Sequence, residues 1–392
     1  MALNLFFIGL ALSQFLIFAS GLPQPAHFLF AISICVFLLS RLSISVPKSN
    51  KWPLVFLFCF VVYQFAVNFI HYVLSFYSGF IWQAIYILFG FAVFILIYNF
   101  FASNSGFLRK FAILGVVSIF ILFLTPIFGL GRYNFFPRFN AFFNDPNQMA
   151  FWVLCMAAIC ITYFANKRYY LLSLLVFIIS SFLIFLTLSR SGFVGLAAMF
   201  AGFVIILIGD LAKNASAKKF LSLLLVLFLL VFISLYLVRA DVEKFNLIIE
   251  RFFATDFEEQ AGIRGYGRFF EHPEFLIFGA GHGNELRFTP TGTEIHSTWA
   301  GLLFYYGVVG FLLFSGFIAS ILRKLSLGEC FVFLAPLFYS FFTFGLRTPI
   351  FWIFLGFFYV YILEKNRIKL ESKRLEVSSE RSVLGANVLS FK

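Results

Sequence analysis

The chain has 392 residues, of which 62% are hydrophobic and 12% are charged, and its mean hydropathy is +0.97. Too few polar side chains remain to cover a soluble globule of this size, so the composition excludes an ordinary soluble protein. The net charge is +12, and the 64 phenylalanines are spread over every apolar run. Because no segment stands apart in composition, we predict one polytopic membrane domain.

Runs of about 17 or more apolar residues, enough to cross roughly 30 Å of hydrocarbon, define the predicted elements. They predict an all-α integral membrane protein with about twelve transmembrane helices, of which the second, eleventh and twelfth are the shortest. The predicted spans are 3–20, 26–40, 52–75, 79–102, 107–127, 147–166, 169–188, 192–212, 220–238, 295–321, 329–345 and 349–363. The first lacks the basic n-region of a cleaved signal peptide, so we expect it to remain as a helix.

One long polar loop, residues 239–293, separates predicted helices 9 and 10. The membrane domain is therefore predicted at residues 1–367, with a polar, charge-mixed tail at residues 368–392. All cysteines fall inside predicted spans, which gives no indication of a disulfide framework.

The orientation follows from the cations of the short connectors, which concentrate on the cytoplasmic side of membrane proteins. Alternate connectors hold the lysine-rich set Arg41, Lys48, Lys51, Arg109, Lys110, Lys167, Arg168, Lys213, Lys218, Lys219, Arg323, Lys324 and the tail from Lys365. We therefore expect both termini in the cytoplasm and the long loop in the periplasm.

The opposite side carries nine arginines and one lysine, although positive-inside sorting depletes both cations there. They are Arg132, Arg138, Arg190, Arg239, Lys244, Arg251, Arg264, Arg268, Arg287 and Arg347. The planar, permanently charged guanidinium fork suits carboxylate or phosphate recognition. Alternatively, the loop arginines pair with the ten acids between Asp241 and Glu294.

Arg190 is the only charged residue between Tyr169 and Gly209, and its segment "SRSG" predicts a tight outward turn between two spans. An arginine at membrane depth costs about 2.5–3.5 kcal/mol, so it requires a partner or a water-filled cavity. Gly192 and the flanking serines would let an anionic group approach the backbone. The alternative is an arginine that snorkels from a helix end.

A second outward connector, "GRYNFFPRFNAFFNDPNQMAFWVL", leads into the sixth span. Asn144 or Asp145 followed by Pro146 is typical of a helix start, with an acceptor at the N-cap and proline at N1. Arg132 and Arg138 alternate with aromatic residues, which indicates an amphipathic segment at the membrane interface. Such a segment would bind headgroups or guide an anionic lipid.

His296 stands in "EIHSTWAGLLFYYGVVG", at the mouth of the tenth predicted span. Helical spacing from it places Ala300, Leu303, Gly307 and Gly310 on one stripe, where small residues would let a neighbouring helix approach closely. Imidazole side chains suit a general base at neutral pH. The alternative is a capping or hydrogen-bonded interfacial histidine. No histidine or cysteine spacing indicates a metal site.

Four motifs occur in order: "RFNAFFNDPNQMA", "TLSRSG", "GIRGYGRFFEHPEFLIFGAGHG" and "EIHSTWAGLLFYYGVVG". Together they cover the middle half of the chain, from Arg138 to Gly310, and resemble the O-antigen polymerase and O-antigen ligase superfamily. The resemblance implies a helical membrane domain with a large outward loop before the histidine helix. It also implies a metal-independent glycosyltransferase, without a cofactor, that transfers glycan from undecaprenyl pyrophosphate to an acceptor hydroxyl.

Carried over to this chain, the resemblance implies that His296, Arg190 and Arg264 are catalytic. The two arginines would hold the pyrophosphate, with Arg268, Arg138 and Arg132 as further substrate-binding residues. His296 would orient or deprotonate the acceptor hydroxyl, and the anomeric centre would invert. The expected location is the bacterial inner membrane with a periplasmic active site, and the expected partners are the carrier-linked glycan, membrane lipid and a chain-length regulator protein, with no nucleic acid.

Three functions remain open at this point. The phrases "NDPNQMA", "FLIFGAGHG" and "EIHST" favour a polymerase, which joins repeat units of a surface polysaccharide or lipopolysaccharide, over a ligase, which delivers the chain to lipid A-core. A flippase or transporter for the same lipid-linked glycan is the alternative of another class. The sequence lacks the obviously paired halves of many transporters, which argues against it.

Overall fold

The computed structural model describes residues 1–18, 23–40, 51–104, 106–213 and 264–389, together with isolated positions 246, 250 and 262, and side chains as far as residue 372. The major helices of these ranges are α1 (Ala2–Leu12), α2 (Pro25–Ser40), α3 (Trp52–Ser75), α4 (Gly79–Ser103), α5 (Phe107–Ile127), α6 (Pro146–Asn166), α7 (Tyr170–Thr187), α8 (Arg190–Lys213), α9 (Thr298–Leu322), α10 (Leu327–Tyr339) and α11 (Pro349–Leu389). No strand occurs among the described residues, only two isolated bridges in the connector before α6.

Seven of these helices are long and apolar enough to cross a membrane: α3, α4, α5, α6, α7, α8 and α9. The all-α fold is therefore confirmed for the described residues, and the seven helices agree with a membrane protein, but the count of about twelve spans and the loop layout are not confirmed. Helices α1, α2 and α10 are apolar and shorter than 18 residues. The ninth predicted span and the first part of the long loop lie outside the described residues.

Helix α6 is the centre of the bundle, with 94% of its most apolar window buried inside the protein. It packs against α5, α7, α8, α10 and the buried first half of α11. A helix surrounded by protein on all sides needs no polar stripe, which agrees with the continuous apolar sequence from Met149 to Ala165. The N-terminal end of this buried helix supports the candidate site.

Local sequence signals set several helix ends. Asp145 is the N-cap of α6, its carboxylate accepts a hydrogen bond from the Asn147 N–H at 2.6 Å, and Pro146 occupies the first turn, as the sequence predicts. The predicted "SRSG" turn is also confirmed. Helix α7 ends at Thr187, Leu188 adopts the left-handed conformation, and α8 begins at Arg190. Gly192 packs against Ile184, so the small residue serves the contact between these two helices.

The small-residue stripe below His296 has a different partner from the one predicted. Helix α9 is broken at Gly307, where φ is +63° and ψ is −176°. A loop segment lies against the break: Ala280 N–H donates to the Phe304 carbonyl, and Val308 N–H donates to the Leu276 carbonyl. A side chain at Gly307 would overlap the Ile277 carbonyl. Glycine is therefore needed at position 307 for a loop, not for a neighbouring helix. Gly310, which faces the Tyr63 ring of α3, matches the prediction.

We expect Gly307→Ala to destabilise the protein by at least about 1–3 kcal/mol, because this backbone region is essentially restricted to glycine. The added Cβ also overlaps the loop. Thermal unfolding of the detergent-solubilised protein measures the effect. Gly129→Ala is the matched control, since Gly129 also has a positive φ of +65° but nothing within 4 Å of its Cβ position. Equal losses in the two variants would contradict the role of the loop contact.

Candidate active site

The α7–α8 turn positions Arg190 and is fixed to two other helices. The Ser189 hydroxyl lies 3.2 Å from the Tyr339 hydroxyl at the end of α10, and it donates to the Asn147 Oδ1 atom at 3.4 Å. Tyr339 in turn donates to the Asn147 carbonyl at 2.8 Å. These contacts hold the start of α8 beside the N-terminal end of α6, so Arg190 is presented at a defined place.

Arg138 reaches the same place from the connector before α6. Its Nε donates to the Thr187 carbonyl at 2.9 Å, and its Nη2 donates to Asn147 Oδ1 at 2.9 Å. Burial lowers the pKa of the Arg138 guanidinium, and the nearby Asp145 carboxylate partly opposes this effect. A half-buried cation that is already oriented by two acceptors is suited to bind an anion with little further ordering.

Arg264 completes a group of three guanidinium ions. It donates to the Phe342 carbonyl at 3.4 Å and lies 5.0 Å from the centre of the Phe342 ring. Arg138 and Arg264 both lie within electrostatic range of Arg190, and each repels it. We call Arg138, Arg190 and Arg264 the arginine cluster. Like charges held together favour an anionic ligand, because a phosphate group relieves the repulsion.

His296 lies just before α9, which begins at Thr298 with Ser297 as its N-cap. Its side chain is 48% exposed, and its Nδ1 is 3.9 Å from Oε1 of Glu294. Since the helix is capped by Ser297, the capping alternative for His296 is excluded. The imidazole is accessible on the surface that carries the arginine cluster, with a carboxylate behind it.

The Glu294 carboxylate lies close to three cationic or titratable side chains of the site. It pairs with Arg347, and its Oε2 lies 3.4 Å from Nε2 of His282, which is 1% exposed and stacks on the Tyr305 ring at 4.3 Å. Burial by itself raises the pKa of the Glu294 carboxyl group, but Arg347, His282 and His296 outweigh it and lower the pKa to about 2. The carboxylate beside His296 is therefore ionised at every physiological pH.

The connector between α10 and α11, residues 340–348, joins the arginine cluster to the histidine. Thr298 N–H donates to the Ser340 and Thr343 carbonyls at 2.8 and 2.9 Å, and its hydroxyl donates to the Thr343 carbonyl. The same connector provides Phe342, which contacts Arg264, and Arg347, which contacts Glu294. Arg264, Glu294 and His296 are thus supported by one short segment.

The two remaining predicted arginines do not join the cluster. Arg268 is 2% exposed, and its guanidinium pairs with Glu285 at 2.7 Å and donates to the Thr293 carbonyl. This buried pair ties the loop together, so Arg268 makes a structural contact, and its substrate-binding role stays a prediction. Arg132 pairs through its main chain with Ala141, and its side chain is exposed.

Sequence reasoning missed Arg347 as a site residue. The sequence does contain an indication of this role. Arg347, like Arg190, lies in a short connector between apolar runs on the predicted arginine-rich side. Its partner Glu294 is 53 residues away in the chain, so no local pattern links the two. His282 is buried against Glu294, so it supports the carboxylate from inside the protein.

A cavity of about 240 Å³ opens beside Arg347. Side chains that can donate or accept hydrogen bonds and broad aromatic surfaces both line it, a combination suited to a sugar ring. Its lining includes Gln83, Gln148, Thr343, Thr348, Tyr86 and Trp152. The arrangement thus combines three cations, an accessible imidazole backed by a carboxylate, and an adjacent cavity lined by both polar and aromatic side chains.

Within the described ranges, no group of three or more histidine, cysteine, aspartate or glutamate side chains could hold a metal ion. No known protein family matches the chain, and no curated protein matches it either.

We expect the low pKa of Glu294 to appear in the pH dependence of stability. A carboxyl group whose pKa falls from an ordinary 4.5 to about 2 on folding stabilises the native state by about 3 kcal/mol above that ordinary value. This stability is lost as the pH falls from about 4.5 to about 2. Glu294→Gln should lower the unfolding temperature at neutral pH, and its difference from wild type should shrink through that window.

The measurement is thermal unfolding of the detergent-solubilised protein at several pH values. Glu274→Gln is the control, since Glu274 is 58% exposed and also pairs with a histidine, His272. A constant difference between wild type and Glu294→Gln across the acid window would show that the carboxyl group is not held ionised by its neighbours.

Proposed function

We propose that the chain is a glycosyltransferase of the O-antigen polymerase type. The observation that supports this most directly is the arginine cluster on the same end of the helical bundle as His296. A diphosphate needs several cations, and glycosyl transfer needs a proton acceptor within reach of the incoming hydroxyl. The α7–α8 turn supplies Arg190, Arg138 donates to the Thr187 carbonyl in the same turn, and the 340–348 connector supports Arg264, Glu294 and His296.

In the proposed reaction, the donor is a glycan on undecaprenyl pyrophosphate. His296 takes the proton of an acceptor sugar hydroxyl, the hydroxyl oxygen bonds to the anomeric carbon of the donor, and the bond from that carbon to the pyrophosphate oxygen breaks. The attack comes from the face opposite the leaving group, so the anomeric centre inverts. The undecaprenyl pyrophosphate leaves with the bonding electrons, and the arginine cluster stabilises the charge that develops on it.

Glu294 would act as a positioning residue in this scheme. Its carboxylate faces Nδ1 of His296, so the other ring nitrogen remains available to the substrate. A fixed carboxylate also stabilises the imidazolium that forms when the proton is taken. Arg347 holds Glu294 in place and lies beside the cavity, which we assign to the acceptor sugar.

The proposed setting is the bacterial inner membrane, with both termini in the cytoplasm and the site on the periplasmic side. The supporting observation is the distribution of the described cations. Lys110, Lys167 and Lys324 lie at the end opposite the arginine cluster, and lysine-rich ends of membrane proteins face the cytoplasm.

The direct test is chain elongation by the purified, detergent-solubilised protein, supplied with a repeat unit on undecaprenyl pyrophosphate. Longer lipid-linked chains are the expected product, and they require catalysis. If the purified protein moves the lipid between leaflets of a vesicle and never elongates it, the chain is a flippase. Transfer to lipid A-core alone would identify a ligase.

A further inference from the structure

Two neighbouring cavities lie at the end of the bundle opposite His296, which we call the lysine end for its residues Lys110, Lys167 and Lys365. Their volumes are about 320 and 470 Å³, and they share Arg109, Tyr163 and Lys167. Both lie within the roughly 300–1,000 Å³ of typical small-molecule sites. The proposed glycosyl transfer uses neither cavity.

The larger cavity is an apolar groove between α5 and α7. Ile113, Val116 and Val117 of α5 form one wall, and Leu172 of α7 lies opposite. Ile113 and Val117 are 44% and 46% exposed, so the groove opens on the outer surface of the bundle, where lipid is expected. A groove of this kind is suited to hold an acyl chain.

The shared mouth of the two cavities is positively charged. Within the described part of the chain, neither Arg109 nor Lys167 pairs with a carboxylate, and both side chains are exposed. Three other cations of this end have an acidic partner: Arg168 pairs with Asp210, Lys365 with Glu329, and Arg367 with Glu364. The charge at the mouth is therefore available to a ligand.

The helix geometry adds to this preference for an anion. Arg109 lies in the first turn of α5, which begins at Phe107, and Gly106 lines the smaller cavity. The N-terminal end of a helix is itself positive, so a cation there is unfavourable unless an anion is near. A phosphate at the mouth would face both the helix end and the two side chains.

We propose that the two cavities bind one anionic phospholipid of the leaflet at the lysine end. Its phosphate lies between Arg109 and Lys167, its headgroup occupies the smaller cavity, and one acyl chain follows Ile113 and Val117 along the groove. Basic pockets between transmembrane helices on the cytoplasmic side are a recurrent type of phospholipid site. The combination of a basic mouth and an apolar groove matches the two parts of such a lipid.

Native mass spectrometry of the detergent-solubilised protein, titrated with phosphatidylglycerol or phosphatidylcholine, tests this site. We expect the wild type to retain phosphatidylglycerol preferentially. Replacing both Arg109 and Lys167 with glutamine should weaken that binding about 30-fold. Lys110→Gln combined with Lys324→Gln is the matched control, because it removes the same charge from exposed residues of the same end that line neither cavity.

A second variant, Val117→Trp, fills the groove without changing the charge and should also reduce phosphatidylglycerol binding. Equal loss in the control variant would overturn the site, because surface charge alone would then explain the binding. The site would also be overturned if the wild type retained phosphatidylcholine as well as it retains phosphatidylglycerol. If glycerol phosphate binds as tightly as the whole lipid, the groove is not used and the proposal fails.

Discussion

Replacing His296 with alanine is expected to lower chain elongation by about 10²–10⁴-fold, the usual contribution of a positioned general base. Donor binding should remain near the wild-type level, because the arginine cluster and not the imidazole holds the pyrophosphate in the proposed mechanism. The side chain is 48% exposed, so its removal leaves no buried cavity. Elongation and donor binding are measured on the same purified protein.

His272→Ala is the matched control for this variant. His272 also lies in a loop beside a carboxylate, Glu274, but it lies apart from the Glu294 network. Its replacement should leave elongation unchanged. If His296→Ala elongates chains at the wild-type rate, the imidazole is not the base, and the proposed mechanism loses its proton acceptor.

Arg190→Ala is expected to lose donor binding as well as turnover, whereas His296→Ala loses turnover alone. Removal of one preorganised group that stabilises developing charge costs about 10²–10³-fold in rate. Arg190 is the member of the cluster that faces both Arg138 and Arg264, so the site loses its central cation. Binding of a radiolabelled lipid pyrophosphate and the elongation rate are the two measurements.

Arg190→Lys separates the role of charge from that of the planar fork. A lysine keeps the positive charge but cannot bind a phosphate through two parallel hydrogen bonds. We therefore expect Arg190→Lys to bind the donor more tightly than Arg190→Ala does but less tightly than the wild type. Arg323→Ala, at an exposed arginine of the lysine end, is the control for loss of one charge. Wild-type donor binding by Arg190→Ala would contradict the assignment of the cluster to the pyrophosphate.

The two variants together separate the proposed roles. A base acts only in the chemical step, whereas cations that hold a diphosphate act before and during that step. Equal effects of His296→Ala and Arg190→Ala on donor binding would mean that both residues belong to one binding surface. The acceptor cavity beside Arg347 would then need another explanation.

Several features of this protein were determined by the sequence alone. The apolar runs specify helices because a backbone in lipid must satisfy its hydrogen bonds within the segment. The Asp145–Pro146 start of α6 and the turn before Arg190 are equally local, since a cap or a tight turn depends on a few adjacent residues. The prediction that arginine accumulates on one side of the membrane likewise comes from the sequence alone.

Only the tertiary structure decided which of those arginines act together. Arg138, Arg190 and Arg264 come from three separate segments. Arg138 and Arg264 lie within electrostatic range of Arg190 because the turn before α8 and the end of α10, which leads into the 340–348 connector, both contact the N-terminal end of the buried helix α6. Arg268 carries the same charge and lies four residues after Arg264, yet it is buried against Glu285. The pairing of Glu294 with Arg347 and the loop that lies against Gly307 are likewise long-range contacts, and local sequence patterns do not encode them because they depend on how distant segments pack.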